Sequence, residues 1–222
     1  MLTLHRAGFV LPDPAGAGPA PAGSTVLVDG AVLVDGAVLV RGELVEAVGP
    51  FGELAAAHPG ARVRDWGAAV LTPGLRNPYG HGLLERAYHP DPREGTGAEP
   101  VPGGLDAEGD DVRCGASARR GLQRMLGFGV TAVAGPFERA SVRTAVARSG
   151  LAALAPGGGT GATDGPLDPL AVLPLAQAAH GRIAAGERAD FAVFACDGDV
   201  PAPLPGGCLA TVLGGRLVYR RR

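Results

Sequence analysis

Apolar residues near the start of the chain occur in short runs that Gly, Pro and Asp interrupt. Residues 1–11 predict a first β-strand, and residues 12–23, rich in Pro, Gly and Ala, predict a loop. The unit Ala-Val-Leu-Val-Asp-Gly then recurs with a six-residue period within residues 26–42. Each Asp-Gly pair predicts a type I′ hairpin turn, which accounts for Asp29 and Asp35 better than an acidic cation site does.

Further along, the pattern changes to strands that alternate with helices. Apolar residues at helical spacing predict helices, and β-branched runs predict strands between them. The predicted strands are residues 43–50, 62–66, 69–71, 128–134, 150–154, 209–213 and 216–220, and the predicted helices are residues 51–58, 114–127, 138–149 and 170–179. The middle of the chain therefore predicts a right-handed β-α-β-α-β unit with parallel strands.

Two polar features of this middle part have a functional and a structural interpretation. Arg119, Arg120 and Arg124 share one face of a predicted helix, which fits either an anion site or a solvated helix surface. The glycine-rich residues 157–161 lack the Lys-Ser/Thr pair of a phosphate-binding loop, so we interpret them as a linker.

Composition narrows the class of protein. The 222 residues are 46% hydrophobic, so a sizeable core can form, and the net charge of −2 gives no general attraction to nucleic acid or anionic membranes. No Lys occurs, which excludes lysine-based chemistry. The three cysteines lack metal-type spacing, and the first residues do not form a signal peptide or a membrane span, so we expect a cytoplasmic protein without membrane contact.

One segment carries a specific resemblance. Pro73, Gly74, Leu75, Asn77 and His81 match the pattern Pro-Gly-Leu-x-Asn-x-His-x-His. The segment resembles the one with which enzymes of the amidohydrolase superfamily leave a small β-domain and enter the first strand of a (β/α)8 barrel. In that family the two histidines, two residues apart, lie on one face of the strand and together hold a divalent metal.

Three other segments extend the resemblance to both ends of the chain. Residues 128–134 resemble the family's second barrel strand, and residues 181–194 resemble its return into the small domain, where Asp190 would cap a turn. Residues 209–220 resemble its terminal hairpin. The nearest relatives by this resemblance are imidazolonepropionase and the aminofutalosine deaminases.

The resemblance implies a fold of class α/β plus β. We expect a small composite β-sandwich built from residues 1–71 and 187–222, and a truncated (β/α) barrel-like segment of about three parallel strands in residues 72–186. Residues 155–180 are too few for five further β-α units, since a full barrel takes about 250 residues.

The resemblance also selects candidate site residues. Tyr79 stands where the family has its first metal-binding histidine, and a phenol is a poorer ligand at pH 7 than neutral imidazole. We therefore expect no cofactor; the alternative is one divalent metal, Zn or Fe, with His81 as its weak candidate ligand. The candidate catalytic residues are His81 and Asp164, and the candidate substrate-binding residues are Tyr79, Asn77, Glu85 and His89.

Three functions remain open from the sequence. The favoured hypothesis is a degenerate amidohydrolase-like protein that binds a small molecule or serves as an accessory protein without metal-dependent hydrolysis. The alternatives are an active hydrolase or deaminase of C–N bonds in a cyclic amide or amidine, and a structural partner in an oligomer. Because three parallel strands taken from a barrel leave open edges, we also expect a homodimer.

Overall fold

The structure, a computed structural model, describes residues 1–15, 32–95, 97, 99–105, 110–155, 165–196 and 201–222. In this part of the chain, hydrogen bonding joins the strands into one mixed sheet of eight strands and one parallel sheet of three. None of the helices in these ranges has the length and apolar character that crossing a membrane requires.

Both ends of the chain contribute to the eight-stranded sheet. Its order is β11-β10-β9-β5-β1-β2-β3, and β4 pairs with the first half of β1. The strands are β1 (Leu2–Val10), β2 (Leu33–Arg41), β3 (Leu44–Pro50), β4 (Arg62–Asp65), β5 (Val70–Pro73), β9 (Phe191–Phe194), β10 (Cys208–Leu213) and β11 (Arg216–Arg220). The terminal strands join the rest where β9 pairs antiparallel with β5.

The prediction of a hairpin turn at Asp35-Gly36 is wrong. Both residues lie inside β2, whose residues on either side of Asp35 pair antiparallel with β1, while Asp35 itself has a left-handed φ of 49°. A nine-residue partner strand outweighs the local turn preference, and the β2–β3 turn falls instead at Gly42, where φ is +62°. The other Asp-Gly pair, Asp29-Gly30, lies outside the described residues.

The predicted β-α-β-α-β unit is confirmed as a parallel sheet. Its strands are β6 (Leu75–Asn77), β7 (Val130–Ala134) and β8 (Ala152–Leu154), in that order. The helices between them are α2 (Asp111–Leu126) and α3 (Ala140–Ser149); α1 (Phe51–Ala57) belongs to the other sheet. The Asp110 carboxylate accepts a hydrogen bond from the Val112 amide and so begins α2 three residues earlier than the sequence pattern predicts.

The outer edge of β6 is covered by residues 165–180. An isolated bridge joins Leu75 to Ala179, and the His180 amide donates to the Gly74 carbonyl at 2.8 Å. This covering segment is not the continuous helix predicted for residues 170–179. Pro174 separates a 3-10 turn (Pro169–Ala171) from the short α4 (Leu175–Ala178), because proline has no amide hydrogen for a preceding turn.

The largest core cluster lies between the two sheets. Leu122 and Met125 of α2 and Val133 of β7 pack with Phe194 of β9, and all four are nearly or fully buried. Asp190 connects the same parts through polar bonds. Its carboxylate accepts from the Gly214 amide at 2.6 Å, and its own carbonyl accepts from the Gly74 amide at 3.2 Å.

Candidate functional site

The strand that should present two metal ligands ends before it reaches them. β6 stops at Asn77, which is fully buried, and the chain then turns. The Asn77 Oδ1 accepts from the Tyr79 amide at 2.9 Å, and its Nδ2 donates to the carbonyls of Pro166 and Leu167 at 3.0 and 3.1 Å. All of these partners are backbone groups, so Asn77 fixes the turn and the segment that covers β6.

The turn lies across the end of the neighbouring strand β7. A side chain at Gly80 would overlap Val133 and the carbonyl of Ala134, so only glycine allows this close approach. The half-buried His81 follows, with its Nδ1 2.9 Å from the Pro136 carbonyl. Positions 79 and 81 therefore do not lie on one strand face as the family's two histidines do, because both are in or beyond the turn.

The side chains of Tyr79 and Glu85 are also in contact with other segments of the chain. The ring of Tyr79 packs directly on Gly165. Glu85 lies in a π-helical turn (Gly82–Arg86) and is 5% exposed. Its Oε1 accepts hydrogen bonds from the amides of Glu138 and Arg139 at 2.7 and 3.1 Å, and its Oε2 lies 3.6 Å from the Nε of Arg139.

The Glu85 carboxylate therefore caps α3 from outside the helix. Arg139 is the N-cap residue of α3 and makes no side-chain cap of its own. A carboxylate at a helix N-terminus satisfies unpaired amides and is favoured by the helix dipole. The position of Glu85 is thus explained by the packing of α3.

His89 is a buried histidine with internal partners. Its ring Nε2 lies 2.7 Å from the Leu83 carbonyl, and its amide donates to the Ser117 hydroxyl at 2.9 Å. Burial lowers the pKa of His89 below the ordinary value, and the nearby charges of Arg124 and Arg120 lower it further. The hydrogen bond to Leu83 acts in the opposite direction. His89 is therefore neutral at pH 7, with Nε2 as the donor.

These residues do not fit a metal centre. In the described ranges, no group of three or more His, Cys, Asp or Glu side chains is placed to hold an ion. Asp164, the other candidate catalytic residue, lies outside those ranges. The Glu85 carboxylate is taken up by the amides of Glu138 and Arg139, and neither His81 nor His89 belongs to a group of three possible ligands in those ranges, so we assign no metal-dependent step to them.

A cavity of about 940 Å³ lies beside this region rather than within it. Its walls come from the π-helical turn and the loop after it, from the second half of α2, from residues 165–168 and from the C-terminal residues Tyr219 and Arg221. A pocket of this size can enclose a small organic molecule. The sequence pattern identified Arg120 and Arg124 as one helix face, but it gave no signal for Asp168, Tyr219 or Arg221.

Two polar side chains of the cavity wall already make hydrogen bonds to the protein backbone. Asp168, 8% exposed, accepts from the amides of Leu170 at 2.9 Å and Gly206 at 2.6 Å. The Arg221 guanidinium donates to the Gly206 carbonyl. Both side chains thus fix the connection between the cavity wall and the C-terminal hairpin.

Comparison with known proteins supports part of the resemblance. A family model described as "imidazolonepropionase-like composite domain, bacteria" matches residues 36–61, which span most of β2, all of β3 and α1. The predicted resemblance is confirmed for this segment. Among curated proteins there is no significant match.

Solved structures that the chain resembles include deaminases and an amidohydrolase. A guanine deaminase from Bradyrhizobium japonicum is 16% identical with a TM-score of 0.47, over 70% of this chain and 34% of that chain. An adenosine deaminase from Xanthomonas campestris is 22% identical with a TM-score of 0.42, over 68% and 33%. An amidohydrolase from a Sargasso Sea environmental sample is 20% identical with a TM-score of 0.45, over 82% and 39%. The chain thus spans little more than a third of their length, and likenesses this distant do not assign an activity.

Proposed function

We propose that this chain, which carries an imidazolonepropionase-like composite-domain segment, is a degenerate amidohydrolase relative that binds a small molecule or serves as an accessory protein without metal-dependent hydrolysis. One observation carries the proposal. Within the described residues, no three His, Cys, Asp or Glu side chains come together to hold an ion, and the polar atoms of Asn77 and Glu85, close to the family's metal strand, bond to backbone groups. A hydrolase of this kind would need such side chains to hold a metal and activate water.

The second support is the geometry of the turn after β6. Barrel enzymes place their chemistry at the carboxyl ends of the strands. Here Gly80 lies against the end of β7, and His81 contacts Pro136 just beyond it. The turn occupies the place where a substrate would meet the ends of β6 and β7. The cavity of about 940 Å³ beside the turn is therefore the better binding site.

The domain organisation belongs to the same proposal. We infer a composite β-sandwich from residues 1–71 and 187–222, and a truncated barrel-like segment from residues 72–186. The membership of the strands supports this division, because the eight-stranded sheet draws on both chain ends and the parallel sheet lies between them in sequence. The covering of β6 by residues 165–180 supports a barrel remnant closed by a loop.

The cellular compartment and the oligomeric state are proposals as well. We propose a cytoplasmic protein, since the three cysteines are odd in number and lack metal-type spacing, which fits a reducing compartment. We also propose a homodimer: β8 is a short edge strand whose residues are half-buried or exposed. Light scattering at micromolar concentration should give twice the mass of 22.2 kDa, and a monomer mass would contradict the dimer.

An ammonia-release assay tests the loss of hydrolysis. The protein is incubated with guanine, adenosine and a cyclic amide, each with added Zn²⁺ or Fe²⁺. Ammonia is measured for the first two, and the ring-opened product is measured by chromatography for the cyclic amide, over many protein equivalents. We expect no ammonia and no ring-opened product above the protein-free blank. Multiple turnovers that the variant His81→Ala abolishes would establish the active hydrolase instead.

A further inference from the structure

We infer that the 940 Å³ cavity binds an organic anion, a carboxylate on a flat apolar body, with the carboxylate placed at Arg124. The inference rests on the proposed binding function and names the class of ligand. It depends on three features of the cavity. A guanidinium lacks some of its hydrogen-bond acceptors, the acidic side chains nearby already accept hydrogen bonds or are exposed to solvent, and one wall is apolar.

Arg124 is the incompletely bonded guanidinium. It lies on α2, lines the cavity and is half-buried. Its Nη2 donates to the Pro90 carbonyl at 3.2 Å, whereas its Nη1 is buried and has no hydrogen-bond partner within the described residues. A guanidinium carries five N–H donors, and a buried charged donor without an acceptor is unfavourable. Nη1 itself is closed to solvent, so a ligand carboxylate in the cavity would meet the remaining N–H groups of the guanidinium, which it matches in charge and planar shape.

The neighbouring Arg120 provides an internal comparison. Its Nε donates to the His89 carbonyl at 2.7 Å, and its Nη1 lies 3.7 Å from the Asp91 carboxylate. Arg120 therefore has both a close acceptor and an acidic partner. In the same described ranges, no carboxylate lies within ion-pair distance of Arg124, although the two arginines are one helical turn apart.

The arginines of the cavity outnumber its acidic side chains. Arg120, Arg124 and Arg221 line it, against the two carboxylates of Asp168 and Glu99. Both carboxylate oxygens of Asp168 accept backbone amides, and Glu99 is exposed to solvent. The positive potential also acts on His89. Burial lowers the pKa of His89, and the nearby charges of Arg124 and Arg120 lower it further.

The apolar wall defines the rest of the ligand. Leu83, Phe128, Leu167 and Tyr219 line the cavity together with several prolines. Aromatic and aliphatic side chains of this kind bury a flat ring, while a few polar groups set its orientation. A carboxylate attached to an aromatic ring meets both requirements.

Two probes of nearly equal shape separate charge from size. Indole-3-acetate carries the carboxylate, and indole-3-acetamide replaces it with a neutral amide. Isothermal calorimetry at low salt should show the carboxylate binding about tenfold more tightly than the amide, or better. The variant Arg124→Gln, which removes the positive charge, should abolish that preference. Arg119→Gln, on the exposed face of the same helix, should retain it.

The outcomes distinguish the anion inference from the proposed binding function. Equal binding of both probes to the wild type, or an unchanged preference in a folded Arg124→Gln protein, overturns the anion inference and leaves the binding function standing. Should Arg124→Gln fail to fold, Arg221→Gln at the exposed end of the cavity must weaken the preference, and an unchanged preference there overturns the inference. If neither these probes nor a neutral aromatic fragment set binds at millimolar concentration, both the inference and the small-molecule-binding form of the proposed function are wrong.

Discussion

Removing the buried histidine His5 should weaken the dependence of stability on pH. His5 lies on β1 and is 1% exposed. Its ring stacks on Trp66 with centroids 6.1 Å apart and meets the edge of Phe191 at 4.9 Å. The Trp66 indole donates to its Nδ1 at 3.4 Å. Burial, with a smaller contribution from the charge of Arg64, lowers the pKa of His5 from 6.5 to about 3.

The sign and size of the effect follow from proton linkage. The folded protein keeps His5 neutral down to about pH 3, whereas the unfolded chain takes up a proton near pH 6.5. Unfolding therefore binds a proton between these values, so the free energy of unfolding falls as the pH falls. Between pH 7 and pH 5 this loss is about 2 kcal/mol for His5 alone.

Urea unfolding followed by circular dichroism at pH 7 and pH 5 measures the loss. The variants His5→Phe and His5→Gln should each lose about 2 kcal/mol less than the wild type over this range, whatever their absolute stability. His89 and His180 also have a pKa lowered by burial, so part of the pH dependence remains in every protein. If both variants fall in parallel with the wild type, His5 is not held neutral in the fold.

Two further predictions concern buried polar groups. Glu85→Ala removes the acceptor of the Glu138 and Arg139 amides and should lower the free energy of unfolding by about 2–4 kcal/mol, measured in urea. Glu85→Gln keeps one acceptor and should lose less; equal losses would refute the capping role. Burial raises the pKa of the Cys208 thiol to about 11, so at pH 8 an aromatic disulfide reagent should modify the half-exposed Cys196 first and reach Cys208 only in denaturant. Rapid modification of Cys208 in the folded protein would contradict its burial.

Local patterns predicted the repeating units of the fold well. The alternation of helical and β-branched segments gave the parallel strands β7 and β8 and the helices between β6 and β8, because period and turn chemistry are encoded within a few residues. The terminal hairpin β10–β11 was equally accessible, with two glycines, Gly214 and Gly215, both at positive φ, in its turn.

Long-range contacts explain where local patterns failed. Asp35-Gly36 has the composition of a turn, yet it lies inside β2, where β1 pairs with Val34 and Gly36 on either side of Asp35. The strand predicted to reach His81 stops at Asn77, because that side chain binds Pro166 and Leu167, far along the chain. Neither partner can be identified from a single sequence, since nothing local specifies which distant segments meet.

The candidate site was affected in the same way. The sequence placed Glu85 and His89 close to the family's metal strand, but it carried no information about the hydrogen bonds of their side chains. Their partners, the amides of α3 and the Ser117 hydroxyl of α2, lie on separate elements. The cavity was harder still to predict, because Arg124 and Arg221 come together only through the packing of the C-terminal hairpin against α2.

The most direct test of the central claim is the metal content of the protein. Protein purified without chelator is equilibrated with Zn²⁺ or Fe²⁺, freed of unbound metal and analysed by mass spectrometry for metal per chain. We expect well under one equivalent in the wild type, no change in His81→Ala, and no gain in Tyr79→His, because β6 ends at Asn77 before either side chain. One equivalent of metal that disappears in His81→Ala would contradict the account.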